Sequence, residues 1–448
     1  MSGEKKVIQR LIRQALKLGA DQAEAWLERG RNGSVRVRDG EVEELTESTA
    51  KGVGLRVFVR GRLGFAYGSD FGNAALDALA GRAVALAEAS AKHRHHGLPP
   101  AEELRGHARV KGLFDKDIAA LAPDWKLKTA LEVEKAGRAY DPRVSNFRSV
   151  GAGESVHEVH LATSEGFTGS YEGTYAFLFA VPVASENGEL QTSYWSDSKR
   201  FLADLDSPEA IGREAARRAA RMLGARKVPS QKVPVIFDPL MAASFVNAIA
   251  GAANGESIER GASIFVGRQG ERLAGEHVTI VDDGLLERGL GSAPFDGEGV
   301  PTRRSPILSQ GVLEGFLYDS FTARKARTRS TGNAARGYSS LPSIGTHNLY
   351  LEPGTESPES LIAGVKNGFY VTSMLGQGAD LVTGDYSRGA NGLWIEDGEL
   401  GHPVQEVTVA GNLLQMLRDV DAVGSDLQFR GGTGAPTLRF RELTVAGS

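Results

Sequence analysis

The chain has 448 residues, which is more than one ordinary hydrophobic core accommodates and predicts two or three domains. Its formal net charge of −4, from 52 basic and 56 acidic side chains, provides no general attraction for nucleic acid. The absence of cysteine excludes disulfides and thiolate metal ligands. The 56 glycines exceed the globular average and indicate many tight turns, as antiparallel sheets require.

Apolar side chains of the first 20 residues recur at the helical period, which predicts an amphipathic helix ending at Gly19. Polar residues, among them Gln9, Arg10 and Arg13, interrupt the apolar run that a signal peptide requires. No later segment approaches the roughly 20 apolar residues of a membrane span. We therefore expect a cytoplasmic protein without a membrane partner. The predicted apolar stripe consists of Val7, Ile8, Leu11, Ile12, Ala15 and Leu16.

The next segment alternates apolar and polar side chains over residues 34–47, the pattern of half-buried strands, with a hairpin turn at residues 38–40. Two further strands meet at Gly61, and a helical period returns at residues 73–92. This succession of helices and strands predicts an α/β domain at residues 1–100.

A polar, proline-containing stretch follows at residues 91–112 and predicts a linker. Flexible histidines in such a linker can bind adventitious metal without any catalytic role. The histidines concerned are His93, His95 and His96.

The central segment begins with a helix between Pro123 and Pro142 and continues as alternating strands over residues 144–200. A closing helix completes a predicted domain at residues 110–228, and a second linker lies near residues 228–234. Glycines predict the strand breaks, and the Asn-Gly pair is the strongest hairpin signal among them. The predicted breaks are Gly153, Gly166, Gly173 and Asn187-Gly188.

The carboxy-terminal domain is predicted at residues 232–448, where a strand feeds a helix of small residues and short glycine-bounded strands then dominate. Strands are expected at residues 263–267 and 276–284, and one helix at residues 358–366. The predicted fold class is therefore α+β. An α/β amino-terminal part with helices and short antiparallel strands precedes a strand-rich, barrel-like carboxy-terminal domain.

Two groups of residues outside the helix of small residues are candidates for ligand binding. His157 and His160 lie three apart in a predicted strand, so their side chains point to opposite faces and do not form a metal pair. Basic loops either are solvated or border a groove for a peptide or a partner. Their basic residues are Arg303, Arg304, Arg324, Lys325, Arg327 and Arg329.

The most chemically varied cluster is a candidate peptide groove. Its Arg388 could hold a carboxylate in bidentate fashion with Asp385 as its internal partner, and a structural turn is the alternative. Ser387 has neither a nearby histidine nor a nucleophile-elbow motif, which argues against a serine hydrolase. The cluster consists of Thr383, Gly384, Asp385, Tyr386, Ser387 and Arg388.

The chain resembles the TldD/PmbA (TldE) family over nearly all of residues 230–447. The resemblance rests on the segment at 246–284, on STGNAARG at 330–337, on LVTGDYSRGANGLWIEDGEL at 381–400 and on the final GGTGAPTLRFRELTVAG. In the zinc-bearing TldD branch, the helix at the start of the first segment carries H-E-x-x-x-H, and a cysteine near the carboxy terminus completes the site.

The positions that match this motif are Val246, Asn247 and Gly251. Valine and glycine side chains offer no lone pair to zinc, and an asparagine amide does not accept a proton at neutral pH. The resemblance therefore implies the PmbA/TldE branch, with no catalytic residue and no metal ligand in this chain.

The function implied by the resemblance is that of a noncatalytic subunit of a heterodimeric zinc metalloprotease. Unfolded or modified peptides would enter an internal cavity and dock on a free strand edge, and a TldD-like partner would hold the zinc. The isolated chain could form a homodimer. One alternative is a self-sufficient homodimeric metallopeptidase, and another is a peptide-binding protein without a protease partner. The first alternative would use a metal site drawn from His277, His347, His402, Asp282 and Asp385.

Overall fold

The computed structural model describes residues 3–376 and 378–447 and is 24% helix and 41% strand. The predicted α+β class is confirmed. None of the helices in these ranges is both long enough and apolar enough to cross a bilayer.

Residues 3–90 form two helices packed on antiparallel strands. The tight turns predicted at residues 38–40 and at Gly61 are confirmed, since the two turn residues at each site have positive φ angles. Four residues of the predicted stripe, Ile8, Leu11, Ile12 and Ala15, are buried against the sheet. The elements are α1 (Gly3–Lys17), β1 (Gln22–Arg38), β2 (Glu41–Val59), β3 (Arg62–Gly68) and α2 (Asn73–Ala89).

Residues 90–115 run as an irregular segment along the carboxy-terminal part of the chain. The guanidinium of Arg324 donates to three backbone carbonyls of this segment, those of His95, Gly97 and Leu98. His93 also packs on Phe321 with the ring centroids 5.1 Å apart. The predicted linker is thus tied to the carboxy-terminal part, and the predicted domain boundaries stay a prediction.

The central segment contributes long strands and two long helices. Its elements are α3 (Lys116–Ala119), α4 (Trp125–Tyr140), β4 (Val144–Thr163), β5 (Thr168–Glu186), β6 (Glu189–Thr192), β7 (Trp195–Lys199), a 3-10 turn (Leu202–Asp204) and α5 (Pro208–Ala220).

The strand breaks predicted at Gly153 and Gly173 are wrong, because β4 and β5 run through them without interruption. A Cβ at Gly153 would lie 2.5 Å from the ring of Phe177 on the neighbouring strand. This glycine therefore provides room for an aromatic ring and does not form a turn. The turns predicted at Gly166 and Asn187-Gly188 are confirmed, since they separate β4 from β5 and β5 from β6.

One seven-stranded sheet unites the strands of residues 22–68 and 144–199. Its order is β3-β2-β1-β4-β5-β6, with β7 also on β5, and β1 pairs with β4 from Glu24 opposite Thr163 to Val37 opposite Val150. Helices α1 and α2 cover one end of one face, and α4 and α5 cover the other end of that face. The opposite face is left for contacts with the carboxy-terminal part.

The contact between α4 and α5 depends on a glycine. A Cβ at Gly212 would lie 2.2 Å from the carbonyl oxygen of Val133 and 2.8 Å from the amide nitrogen of Gly137. We expect Gly212→Ala to lower the free energy of unfolding by about 1–3 kcal/mol, because the helix backbones must separate. Thermal unfolding followed by circular dichroism measures this effect.

The matched control is Gly81→Ala in helix α2, where nothing lies within 4 Å of the added methyl group. There the substitution should raise stability by about 0.4–1 kcal/mol through the lower entropy of the unfolded chain. Equal effects of the two substitutions would show that close approach of α4 and α5 is unimportant.

The carboxy-terminal part contains the largest core and a closed barrel. Its elements are β8 (Gln231–Phe237), α6 (Pro239–Ala252), α7 (Gly255–Glu259), β9 (Ile280–Asp283), β10 (Arg304–Ser309), β11 (Val312–Leu313), α8 (Ser320–Ala326), β12 (Ala334–Ala335), β13 (Ser343–Ile344), β14 (Leu349–Leu351), α9 (Pro358–Ala363), β15 (Asn367–Leu375), β16 (Asp385–Glu396), β17 (Glu399–Asn412), α10 (Leu413–Asp419), β18 (Val420–Val423), β19 (Gln428–Arg430), β20 (Thr433–Ala435) and β21 (Leu438–Ala446).

The predicted barrel-like layer is confirmed, since β8, β15, β16, β17 and β21 pair in a closed ring. A second sheet has the order β11-β10-β9-β14-β20-β19, and α6 packs between it and the barrel. Phe245 of α6 meets Phe440 of the barrel with centroids 5.3 Å apart. The strand predicted at 263–267 is wrong: these residues form turns that place Phe265 in the core.

Candidate functional site

Helix α6 contains the three positions that the resemblance matches to a zinc motif, and its first turn is capped. The carboxylate of Asp238 accepts a hydrogen bond from the Met241 amide at 3.0 Å and caps the helix. The second oxygen of this buried carboxylate accepts from Nη1 of Arg218 at 2.9 Å. The helix is α-helical from Pro239 to Ala252.

The three family positions on α6 do not converge. Val246 is fully buried in the carboxy-terminal core, whereas Asn247 is exposed and Gly251 is half-buried. Residues five apart on a regular α-helix point about 140° away from each other. The helix therefore separates the first and third positions, in addition to lacking the side chains that bind a metal.

The exposed face of α6 forms hydrogen bonds with two strands. Nη1 of Arg388 on β16 donates to Oγ of Ser244 at 2.7 Å. Oγ1 of Thr433 on β20 donates to Oδ1 of Asn247 at 3.1 Å. These neutral hydroxyl and amide groups can bind a polar backbone but have no proton acceptor that could activate water. Sequence reasoning missed Ser244 and Thr433, because no local motif marks them.

The candidate peptide groove at residues 383–388 lies at the start of β16, beside this helix face. Arg388 and Asp385 do not pair as predicted, because Asp385 accepts instead from Oγ1 of Thr383 at 2.9 Å. Four of the six residues lie in β16, and Gly384 directly precedes it. Because side chains alternate along a strand, those of Asp385 and Arg388 point to opposite faces. The hydroxyl of Tyr386 contacts Sδ of Met374 at 3.0 Å, and burial raises the pKa of Tyr386 to about 12. The assignment of a groove stays a prediction.

The residues of the alternative metal site are dispersed. Nε2 of His277 lies 3.1 Å from the carbonyl of Val420, and Nδ1 of His402 lies 2.9 Å from a carboxylate oxygen of Glu396. Of the five residues considered, the structure joins His347 to Asp282 alone. Over residues 3–376 and 378–447, no group of three histidine or carboxylate side chains has the geometry of a metal site.

His347 and Asp282 form a buried pair. Nδ1 of His347 lies 3.1 Å from Oδ2 of Asp282, and the backbone amide of His347 donates to Oδ1 at 2.6 Å. The side-chain amide of Asn333 donates to the same carboxylate at 2.7 Å. Burial lowers the pKa of His347, but the hydrogen bond to Asp282 and the charge of this carboxylate outweigh burial and raise it.

His157 and His160 lie on opposite faces of the seven-stranded sheet, as predicted. His157 packs edge-on against Tyr171, and burial together with the charge of Arg200 lowers the pKa of His157 to about 4. Nε2 of His160 lies 2.5 Å from a carboxylate oxygen of Glu158. Neither ring is placed to share a ligand with the other.

Several basic-loop residues have structural partners. Arg303 donates to the carbonyl of Ser330 at 3.0 Å, Arg304 pairs with Glu352, and Lys325 pairs with Glu259 at 2.6 Å. These side chains are therefore held by partners within the chain, and a groove bordered by the basic loops stays a prediction.

A buried ionic cluster joins the seven-stranded sheet to the carboxy-terminal part. Nε of Arg56 lies 2.8 Å from Oε1 of Glu24, and Nη2 of Arg56 lies 2.8 Å from Oε1 of Glu298. Arg336 pairs with the same Glu24. No local sequence pattern marks this cluster, because its members are up to 312 positions apart.

Comparison with known proteins agrees with the geometry of the fold. Three family models match: PmbA/TldA metallopeptidase domain 1 at residues 23–87, the central domain at 116–223 and the C-terminal domain at 230–447. The chain is 32% identical to the metalloprotease PmbA of Escherichia coli O157:H7, over 100% of this chain and 98% of that protein. It is 29% identical to a metalloprotease of Methanothermobacter thermautotrophicus, over 93% and 94% of the two chains.

The crystal structure of TldE from Thermococcus kodakarensis shows the same fold. Its TM-score to this chain is 0.90 at 24% identity, over 98% of this chain and 100% of that one. The family resemblance found in the sequence is confirmed by the domain models and the whole-length relatives. The chain belongs to the PmbA/TldD/TldE family of metallopeptidases.

Proposed function

We propose that this chain is the metal-free subunit of a two-chain zinc metallopeptidase that takes in unfolded or modified peptides. In this proposal the zinc belongs to a TldD-like partner. The observation that carries the proposal is the state of α6, where Val246 lies in the core and Asn247 and Gly251 supply none of the side chains that bind zinc. The relatives are named metalloproteases, and these names support a role in proteolysis.

The side chains around α6 suit peptide binding better than hydrolysis. Ser244, Asn247 and Thr433 offer neutral hydrogen-bonding groups on a partly exposed face. Strand β19 is also an edge strand of the second sheet in the described part of the chain. An extended peptide can pair with such an edge through its backbone, which selects for lack of fold and not for sequence.

The test compares the chain alone with a complex formed with a relative from the same genome that carries H-E-x-x-x-H. Zinc content is measured by mass spectrometry, and cleavage is measured on an unstructured peptide with and without chelator. We expect little zinc and no cleavage with the chain alone, and chelator-sensitive cleavage with the complex. To remove adventitious metal, the chain carries His93→Gln, His95→Gln and His96→Gln.

The matched control is a complex whose partner has its motif glutamate replaced by glutamine, which should assemble but not cleave. Stoichiometric zinc in the chain alone, with chelator-sensitive cleavage, would overturn the proposal. Isolation of the chain from its native cell with bound peptides, but never with a zinc-bearing relative, would favour a peptide-binding protein.

A further inference from the structure

A cavity of about 190 Å³ lies between the open face of the seven-stranded sheet and the loops that lead into β12 and β14. Trp26 and Tyr171 line it from the sheet, and Phe295 lines it from the loop after β9. Arg336 and His347 supply polar groups to the same wall. The lining thus combines aromatic rings with convergent polar groups, so the cavity can hold a small polar ligand.

Arg336 has unused hydrogen-bond donors in this wall. Its side chain is fully buried, and one nitrogen, Nη1, pairs with Glu24. The other two, Nε and Nη2, have no hydrogen-bond partner within residues 3–376 and 378–447. A guanidinium has donors and no acceptors, so a hydrogen-bond acceptor is needed to satisfy them. Buried donors without partners are rare in native proteins and call for a ligand or a bound water.

Two further groups of the cavity also lack intramolecular partners. Nδ1 of His347 is held by Asp282, and Nε2 makes no hydrogen bond to any residue that the structure describes. The hydroxyl of Tyr171 likewise has no hydrogen-bond partner in those ranges, although the ring packs on Phe295 at 5.4 Å. The pair with Asp282 fixes the imidazole orientation, as second partners of functional histidines do.

We propose that this cavity binds a carboxylate through Arg336, Tyr171 and His347. The inference rests on the proposed function, since it names the terminal carboxylate of a peptide as the group that enters. A carboxylate presents two acceptor oxygens and matches the planar fork of a guanidinium.

Nearby acids limit the ligand to a single negative charge. Asp296 lines the cavity, and its carboxylate accepts from the backbone amides of Glu298, Val300 and Ala334. Burial and the charge of Glu298 raise the pKa of Asp296. A dianion such as phosphate would meet more repulsion here than a carboxylate.

The cavity is adjacent to the exposed face of α6. A Cβ at Gly432 would lie 2.9 Å from the carbonyl oxygen of His347, and Gly432 directly precedes Thr433. Thr433 in turn donates to Asn247 on the helix. A peptide with its last residue in the cavity would therefore have its preceding residues close to the α6 face.

The experiment measures binding of a fluorescent, unstructured decapeptide to the full chain by anisotropy, with a free carboxyl terminus or a terminal amide. The acid should bind about tenfold more tightly than the amide, because the amide loses charge-assisted hydrogen bonds. His347→Gln and Tyr171→Phe should each reduce this preference several-fold. The control His402→Gln should keep it, since His402 pairs with Glu396 outside the cavity.

Acetate is the second probe. It distinguishes a site for the carboxyl terminus of a peptide from a site for any carboxylate. Competition by acetate against the acid peptide but not the amide would support the pocket as a site for any carboxylate. Equal binding of acid and amide, binding of neither, or a preference unchanged in both cavity variants would overturn the inference. Partner-dependent cleavage would persist in those cases if the proposed function is correct, so the two failures are distinguishable. Thermal melting of Tyr171→Phe, which removes one hydroxyl, verifies that the variant is folded.

Discussion

Replacing Arg56 with methionine is expected to lower the free energy of unfolding by about 3–5 kcal/mol, the cost of leaving buried charges without a partner. The side chain of Arg56 is 7% exposed and lies between Glu24 and Glu298, which are 0% and 1% exposed. Burial lowers the pKa of Arg56, but the charges of the two carboxylates raise this pKa by a larger amount. The guanidinium therefore stays charged. In the variant, two buried carboxylates would keep only Arg336 and the hydroxyl and amide of Ser320.

The measurement is urea unfolding followed by tryptophan fluorescence, because Trp26 lies on the same face of the sheet as this cluster. The matched control is Arg213→Met, which removes an exposed pair with Glu209 and should leave the midpoint nearly unchanged. A midpoint for Arg56→Met equal to that of the control would mean that the cluster does not hold the sheet to the carboxy-terminal part.

The second large effect concerns α6. Installing the family motif with Val246→His, Asn247→Glu and Gly251→His should not create a stoichiometric zinc site. The first histidine would enter the core at Val246, far around the helix from residue 251. Val246→His alone should cost about 2–4 kcal/mol, from overpacking and from burying ring nitrogens without partners.

Zinc content by mass spectrometry and the thermal midpoint measure this result. Asn247→Glu alone is the matched control, because Asn247 is exposed and the change should leave the midpoint almost unaffected. Stoichiometric, chelator-sensitive zinc in the triple variant would contradict the expectation. It would mean that the helix widens locally to bring residues 246 and 251 together.

Short-range signals predicted much of the fold. The turns at Asp39-Gly40 and Asn187-Gly188 have the positive φ angles that their residue types favour, and the helices begin close to their predicted starts. The incorrect strand breaks arose because glycine has two uses. At Gly153 it makes room for Phe177 across the sheet, a contact between residues on different strands that no local pattern encodes.

The strand predicted at residues 263–267 was wrong for a related reason. A short apolar run is consistent with a buried strand, but its periodicity alone does not identify the backbone conformation. In the tertiary structure these residues form turns, and Phe265 is fully buried beneath them.

By itself the sequence determined which chemistry α6 lacks, because Val246 and Gly251 offer no side-chain lone pair to zinc and the amide of Asn247 accepts no proton at neutral pH. Only the tertiary structure decided where those positions point and which distant groups meet. Asp282 and His347 are 65 positions apart, and Arg56 and Glu298 are 242 positions apart. Such pairs depend on how strands and loops are packed. The local periodicity that indicates helices and strands does not encode this packing.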